Sequence, residues 1–147
     1  MEQNTFNLLN GLNQAIIQFR GIYSAWSNEL GISYHEMLIL YTIREYGYCT
    51  QKQICDNYLL PKQTIHNVIS AMRRNGLLNV SVNHGKGREK AFVLSDQGKA
   101  YAAPFLRSMD TVESHALERL GKNKLEVLTD LLLEYSTALN MALKESR

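Results

Sequence analysis

The chain of 147 residues lacks several features that define large classes of protein. Its two cysteines, Cys49 and Cys55, are too few and too close together for a disulfide framework. No run of about 18 apolar residues occurs, so a membrane-spanning helix is not expected. The first residues have neither the basic segment nor the uninterrupted apolar stretch of a secretory signal. These absences predict a protein of the reducing cytoplasm with no membrane partner.

Sequence motifs of common enzymes and metal sites are also missing. The chain has no GxSxG, P-loop, GxGxxG or HExxH pattern. Its four histidines are scattered and show none of the paired spacings that metal ligands adopt: His35, His66, His84 and His115. We therefore expect no enzymatic activity, no cofactor and no bound metal.

Charge is unevenly distributed, although the formal total is only +2. A total this small excludes a uniformly basic, histone-like surface. Between residues 49 and 95, however, seven basic side chains stand against two acidic ones, a net charge of +5, and the rest of the chain carries −3. A basic middle segment on an acidic scaffold favours a polyanion as partner. An ordinary solvated face is the alternative.

Helical periodicity marks both ends of the chain. Apolar residues recur at three- and four-residue steps over residues 5–29, and a second helix is predicted between Ser33, as its cap, and Gly47. A fifth helix begins after a cap at Ser95 and runs to about residue 120, with a kink expected at Pro104. Beyond Gly121 a last helix has apolar residues on more than one side.

The middle segment predicts a short helix, a tight connection, a second helix and a hairpin. Thr50 and Gln53 form the pattern of a capping box for a third helix, and Pro61 suits the first turn of a fourth. Alternating residues from Leu78 to Val82 and the run 91–94 then predict two strands around a basic tip. The fold class is therefore mainly α, a winged helix-turn-helix with a two-stranded β-hairpin wing.

This arrangement predicts binding to double-stranded DNA. A helix fits the major groove, where Gln, Asn and Arg pair with base edges, and an arginine on the hairpin enters the minor groove. Lys and Arg on the flanks bind phosphates. The predicted DNA-binding residues are Thr50, Gln51, Lys62, Gln63, Thr64, His66, Asn67, Ser70, Arg73, Arg74, Lys86, Arg88 and Lys90.

From Ser33 to Gly98 the chain resembles the MarR family of bacterial transcriptional regulators. The stretches that carry the resemblance are Thr50–Ile54, Pro61–Ile69, residues 73–78, and Arg88 followed by residues 94–98. One departure is Lys86, because the family usually has an aspartate there that holds the wing arginine. We expect wing binding to depend more on phosphate attraction and on salt as a result.

The resemblance implies a single MarR-like domain over residues 1–147. Its winged helix-turn-helix lobe covers about 33–98, and its dimerisation helices cover about 5–29 and 96–144. It also implies a homodimer on a palindromic operator, acting as a repressor. Apolar stripes at both ends agree with a homodimer, because a compact monomer would leave them exposed.

The resemblance further implies a binding site for a small phenolic or lipophilic effector. The aromatic residues expected to line this site are Tyr23, Trp26, Tyr34 and Tyr41. Core packing is the commoner fate of such residues. Two alternative functions stay open. One is a winged-helix module that binds protein and not DNA. The other is a thiol-responsive regulator acting through Cys49 or Cys55.

Overall fold

The computed structural model describes all residues, 1–147, as six helices and three short strands. The order is α1 (Gln3–Glu29), α2 (Tyr34–Tyr46), β1 (Cys49–Thr50), α3 (Gln51–Tyr58), α4 (Lys62–Arg74), β2 (Leu78–Ser81), β3 (Ala91–Leu94), α5 (Asp96–Leu120) and α6 (Lys122–Glu145). The mainly helical winged helix-turn-helix predicted from the sequence is confirmed.

Predicted caps begin two of the helices, and the proline predicted for a third lies just before it. The Ser33 hydroxyl accepts a hydrogen bond from the Glu36 amide at 3.1 Å, which starts α2. Thr50 and Gln53 form the complete capping box of α3, with distances of 3.0 and 3.2 Å. Pro61 precedes the first residue of α4 and does not lie within its first turn, one position earlier than predicted. Its φ of −61° still directs the chain into the helix.

The hairpin belongs to a three-stranded antiparallel sheet in the order β1-β3-β2. The third strand, Cys49–Thr50, was not predicted because two residues are too few to show an alternating pattern. The β2 strand pairs Leu78 with Leu94 and ends where Ser81 pairs with Ala91. Val82, which the alternation placed in this strand, lies beyond it and is 92% exposed.

The chain divides into two units, Met1–Leu106 and Arg107–Arg147. The first unit contains a core built from α2, α3, α4 and the sheet, with fully or almost fully buried side chains of Ile39, Leu40, Ile54, Ile65, Met72 and Phe92. Burial of such side chains stabilises the fold by about 1.5–3 kcal/mol each. This core sets the position of α4 and the hairpin.

A close backbone contact joins the start of α5 to the sheet. The Ser95 amide donates to the Leu77 carbonyl at 3.0 Å, and the Ser95 hydroxyl donates to the Gly76 carbonyl at 2.5 Å and accepts from the Gly98 amide at 2.9 Å. A Cβ on Gly98 would lie 2.0 Å from the Leu77 carbonyl oxygen, so only glycine fits there. The helix then runs unbroken past Pro104, and the kink expected there stays a prediction.

The second unit consists of the end of α5 and all of α6, separated at Gly121. None of the residues of α6 is buried in the single chain. None of the six helices combines the length and apolar character that crossing a membrane requires.

Candidate nucleic-acid interface

The second helix of the helix-turn-helix, α4, has two distinct faces. Ile65, Ile69 and Met72 are buried against the core with at most 4% of their surface exposed. The opposite face carries the predicted DNA-binding side chains, of which Thr64 and Ser70 are half-buried and the others exposed: Gln63, His66, Asn67, Arg73 and Arg74. The periodicity that buries one face therefore presents the other to solvent.

Two amide side chains on the exposed face are hydrogen-bonded to each other. Gln63 Nε2 donates to Asn67 Oδ1 at 2.9 Å, one helical turn further on. The pair leaves the Gln63 carbonyl oxygen and the Asn67 amino group free for further hydrogen bonds. Acceptor and donor groups held side by side match the pattern that an adenine edge offers in the major groove.

The turn before α4 is held by Gln51. Its side-chain amide donates to the Lys62 carbonyl at 3.1 Å, so α3 is tied to the first residue of α4. Pro61 supplies no side-chain cap, which leaves the first amides of α4 available to an anion. Lys62 is exposed beside them. These groups suit a DNA phosphate.

Thr50 is the predicted DNA-binding residue that the structure does not bring to the surface. It is only 7% exposed, and its hydroxyl accepts the hydrogen bond from the Gln53 amide that caps α3. A threonine that caps a helix and one that meets a phosphate have the same local sequence. The burial of Thr50 within the sheet, as part of the unpredicted strand β1, distinguishes them. Direct contact of the Thr50 side chain with DNA does not fit this structure.

Arg73 is supported by Phe92, a residue that no sequence pattern assigns to the DNA surface. Its guanidinium lies 5.5 Å from the centre of the Phe92 ring, within the range of a cation–π interaction. Phe92 is in β3 and only 6% exposed, so it is a fixed support. From the sequence, a phenylalanine in a strand is expected only to pack in the core. The contact with Arg73 becomes visible only in the folded structure.

The hairpin ends in an exposed basic tip. The Glu89 amide donates to the Lys86 carbonyl at 3.1 Å, which closes a four-residue turn with Gly87 at φ +60°. Glycine is favoured at this position because other residues rarely adopt a positive φ. The turn leaves Lys86, Arg88 and Lys90 exposed, as a wing that meets DNA requires.

Helices α3 and α4 and the hairpin together enclose a cleft of about 1030 Å³. Predicted residues from all three elements line it: Gln51, Lys62, His66, Ser70, Arg73, Arg88 and Lys90. Two acidic residues are also present, and one of them, Asp56, is ion-paired with Lys52, which raises the pKa of that lysine. The fold therefore brings residues far apart in sequence to one surface of predominantly positive charge.

Comparison with known proteins identifies this arrangement. Residues 32–98 match the model of a winged helix DNA-binding domain. The structure of a MarR family regulator from Neisseria meningitidis superposes over 100% of both chains with a TM-score of 0.84 and 25% sequence identity. The chain has the winged helix-turn-helix fold of MarR family regulators and is similar to them over its whole length. Comparison with curated protein sequences gives no significant match.

Two further structures share this fold. One is a candidate MarR family transcriptional regulator from Listeria monocytogenes complexed with 26mer DNA, at 18% identity and a TM-score of 0.66, covering 89% of this chain and 87% of that one. The other is Staphylococcus aureus MarR in complex with salicylate and kanamycin, at 15% identity and a TM-score of 0.67, covering 95% of each chain.

The four aromatic residues predicted to line an effector site lie on α1 and α2. All four are half-buried. The Tyr23 ring centre is 6.3 Å from that of Trp26, and the Arg44 guanidinium lies 4.9 Å from the centre of the Tyr41 ring. Tyr34 begins α2. None of the four lines the cleft beside α4.

Neither cysteine has the environment of a reactive thiol. Burial raises the pKa of Cys49 to about 12. The pKa of Cys55, half-buried in the cleft, is also raised, first by burial and then by the nearby charge of Asp56. Because the thiolate is the reactive form, both environments disfavour thiol chemistry. The structure therefore does not support the thiol-responsive alternative.

Proposed function

We propose that this protein is a repressor of the MarR family, a homodimer that binds a palindromic operator in a sequence-specific way and whose affinity for DNA is modulated by a small molecule. The observation that carries the DNA-binding part is the shared cleft, in which basic side chains of α4 lie on the same surface as those of the wing: Lys62 and Arg73 with Arg88 and Lys90. The predicted residues other than Thr50 form the DNA surface. Base contacts come from Gln63 and Asn67, phosphate contacts from the flanking lysines and arginines, and the minor-groove contact from Arg88.

Exposed apolar helix faces support the homodimer. In the first unit, Phe6, Ile17 and Phe19 on α1 are 55–61% exposed. In the second unit, Leu128 and Leu131 on α6 are 49% and 57% exposed. Apolar side chains in this number are usually covered by a partner. We propose that a second copy covers them, that residues 5–29 and 96–144 serve as dimerisation helices of one domain spanning 1–147, and that the winged lobe spans 33–98.

The decisive experiment selects the operator with the protein itself. The wild-type chain is incubated with random-sequence duplex DNA, bound duplexes are amplified, and binding is measured by gel shift at several salt concentrations. We expect a palindrome with half-sites about one helical turn apart and an affinity that falls as salt rises. Sedimentation of the free protein should give the mass of a dimer.

Variants then test the surface. Replacement of Gln63, Asn67 and Arg88 by Ala together should abolish binding to the selected duplex, while the dimer and the helical content are unchanged. Replacement of Glu45 by Ala, exposed on α2 and outside both the DNA surface and the proposed dimerisation helices, is the control and should leave binding intact. If the wild-type chain selects no duplex at low salt, a winged-helix module that binds protein becomes the better interpretation.

The small-molecule part of the proposal rests on the aromatic residues of α1 and α2. Trp26 is the only tryptophan, so its fluorescence reports directly on that region. With salicylate as the probe, we expect saturable quenching of Trp26 and weaker binding of the selected duplex. Quenching should be lost on Tyr41→Ala. Linear, unsaturable quenching would contradict a site at these residues.

A further inference from the structure

The loop that carries Arg88, residues 82–90, extends beyond the sheet, and most of its side chains are exposed. An exposed loop without anchors samples many conformations, and a partner that needs one of them must offset the lost entropy on binding. Lys86 cannot act as an ionic anchor for Arg88, because it carries the same charge. Some other contact must therefore hold this loop in a defined orientation.

An aromatic stack supplies such a contact. The ring of His84 lies on the ring of Tyr48 with centres 4.5 Å apart and planes inclined by only 17°. His84 follows β2, and Tyr48 precedes β1 and is half-buried. Because β3 lies between these two strands, the stack connects the start of the loop to the far edge of the sheet.

Hydrogen bonds fix the orientation of the histidine ring within the stack. His84 Nδ1 lies 2.7 Å from the hydroxyl oxygen of Ser81, the last residue of β2. The same oxygen accepts a hydrogen bond from the Asn83 amide at 3.3 Å. The imidazole is therefore held at its edge by the strand and on its face by Tyr48. Further along the loop, Gly85 approaches the Glu89 carbonyl so closely that a Cβ would lie 2.8 Å from it.

We propose that Tyr48 and His84 are positioning residues for the wing, which hold residues 82–90 in the orientation that lets Arg88 meet DNA. The proposal rests on the proposed function, because it assigns a role in DNA binding. It adds two residues that lie outside the recognition surface. Their effect is to order the loop before DNA arrives, so that binding does not have to order it.

The test compares two variants that break the stack with one that keeps it. Tyr48→Leu and His84→Ala should each weaken binding of the duplex selected by the wild-type chain by roughly two- to tenfold, the range that an aromatic pair supports. Tyr48→Phe keeps the ring and should bind within about twofold of wild type. The double variant Tyr48→Leu/His84→Ala should be no weaker than the weaker single variant, because both remove the same contact.

A spectroscopic measurement on the free protein reports the stack without DNA. The ring protons of His84 should be shifted upfield in the NMR spectrum by the Tyr48 ring, lose this shift in Tyr48→Leu, and retain it in Tyr48→Phe. Because His84 lies in an exposed loop, His84→Ala is expected to fold. It therefore still tests the proposal if Tyr48→Leu fails to fold.

Several outcomes would overturn the proposal. If the shift is lost in Tyr48→Leu while both stack-breaking variants bind the duplex like wild type, the stack forms but positions nothing. If Tyr48→Phe binds as weakly as Tyr48→Leu, the hydroxyl and not the stack is responsible. If the wild-type chain selects no duplex, both the proposed function and this role of the stack are wrong. An upfield shift of the His84 ring protons would then show that the stack is present and that DNA binding is what fails.

Discussion

Gly98→Ala tests how closely the start of α5 packs on the sheet. The new methyl carbon would lie 2.0 Å from the Leu77 carbonyl oxygen and 2.9 Å from its carbon. An ordinary contact needs more than 3 Å, so the backbone of α5 must move away by about 1 Å or more. The Ser95 amide bonds to that same oxygen at 3.0 Å, and the Gly98 amide bonds to the Ser95 hydroxyl at 2.9 Å. The movement therefore strains both bonds.

The expected magnitude follows from three effects. Overpacking against rigid backbone costs about 3 kcal/mol, the upper part of its usual range. Loss of the Ser95 cap costs about 1 kcal/mol. Alanine in a helix recovers about 1 kcal/mol relative to glycine. The free energy of unfolding of Gly98→Ala should therefore fall by about 3 kcal/mol, and for a chain of this size its Tm should fall by about 6–12 °C.

Thermal unfolding followed by circular dichroism measures this change. Gly11→Ala is the matched control, because Gly11 is inside α1 and an added Cβ meets nothing within 4 Å. The control should keep or raise the Tm, since only the helix preference of alanine acts there. If Gly98→Ala has the same Tm as Gly11→Ala, the inference of a close contact between residue 98 and Leu77 is wrong.

Three other changes have expected outcomes. Leu59 is 89% exposed at φ +51°, so Leu59→Gly should raise the free energy of unfolding in urea by about 0.5–1 kcal/mol, and a lower value would contradict the strain. Tyr101, whose hydroxyl donates to Glu36 at 3.0 Å, has a pKa raised from 10.0 to about 12, first by burial. Since the unfolded chain loses this proton first, wild-type stability should fall between pH 10 and 12 more steeply than that of Tyr101→Phe, and equal pH slopes would refute this. Lys86→Ala should reduce the steepness of log affinity against log salt by about two, one for each wing of the dimer, whereas Glu45→Ala on the exposed side of α2 should leave it unchanged.

Much of the winged lobe could be predicted because its signals are local. The capping box at Thr50 and Gln53 concerns residues three apart, and the buried stripe of α4 repeats at helical spacing. Such patterns depend on short-range geometry, which the fold does not change. The exposed face of α4 followed directly from the buried one, so Gln63 and Asn67 could be selected without the structure.

Other features depended on residues far apart in the chain. Strand β1 forms only because Cys49 and Thr50 pair with β3, more than 40 residues away, and that pairing buries Thr50 and removes it from the DNA surface. The cation–π contact of Arg73 with Phe92 and the stack of Tyr48 on His84 likewise join separate elements. Neither residue of such a pair can be used to predict the other from the sequence.

The sequence alone specifies the order of the six helices and the two hairpin strands, the basic character of the middle segment and the side chains presented by α4. Each of these is a property of neighbouring residues, since backbone periodicity, caps and charge act over a few positions. Tertiary contacts determine which of the selected residues share one cleft, which are buried, and what supports Arg73 and the wing. These are contacts between distant segments, and they exist only after the core has packed.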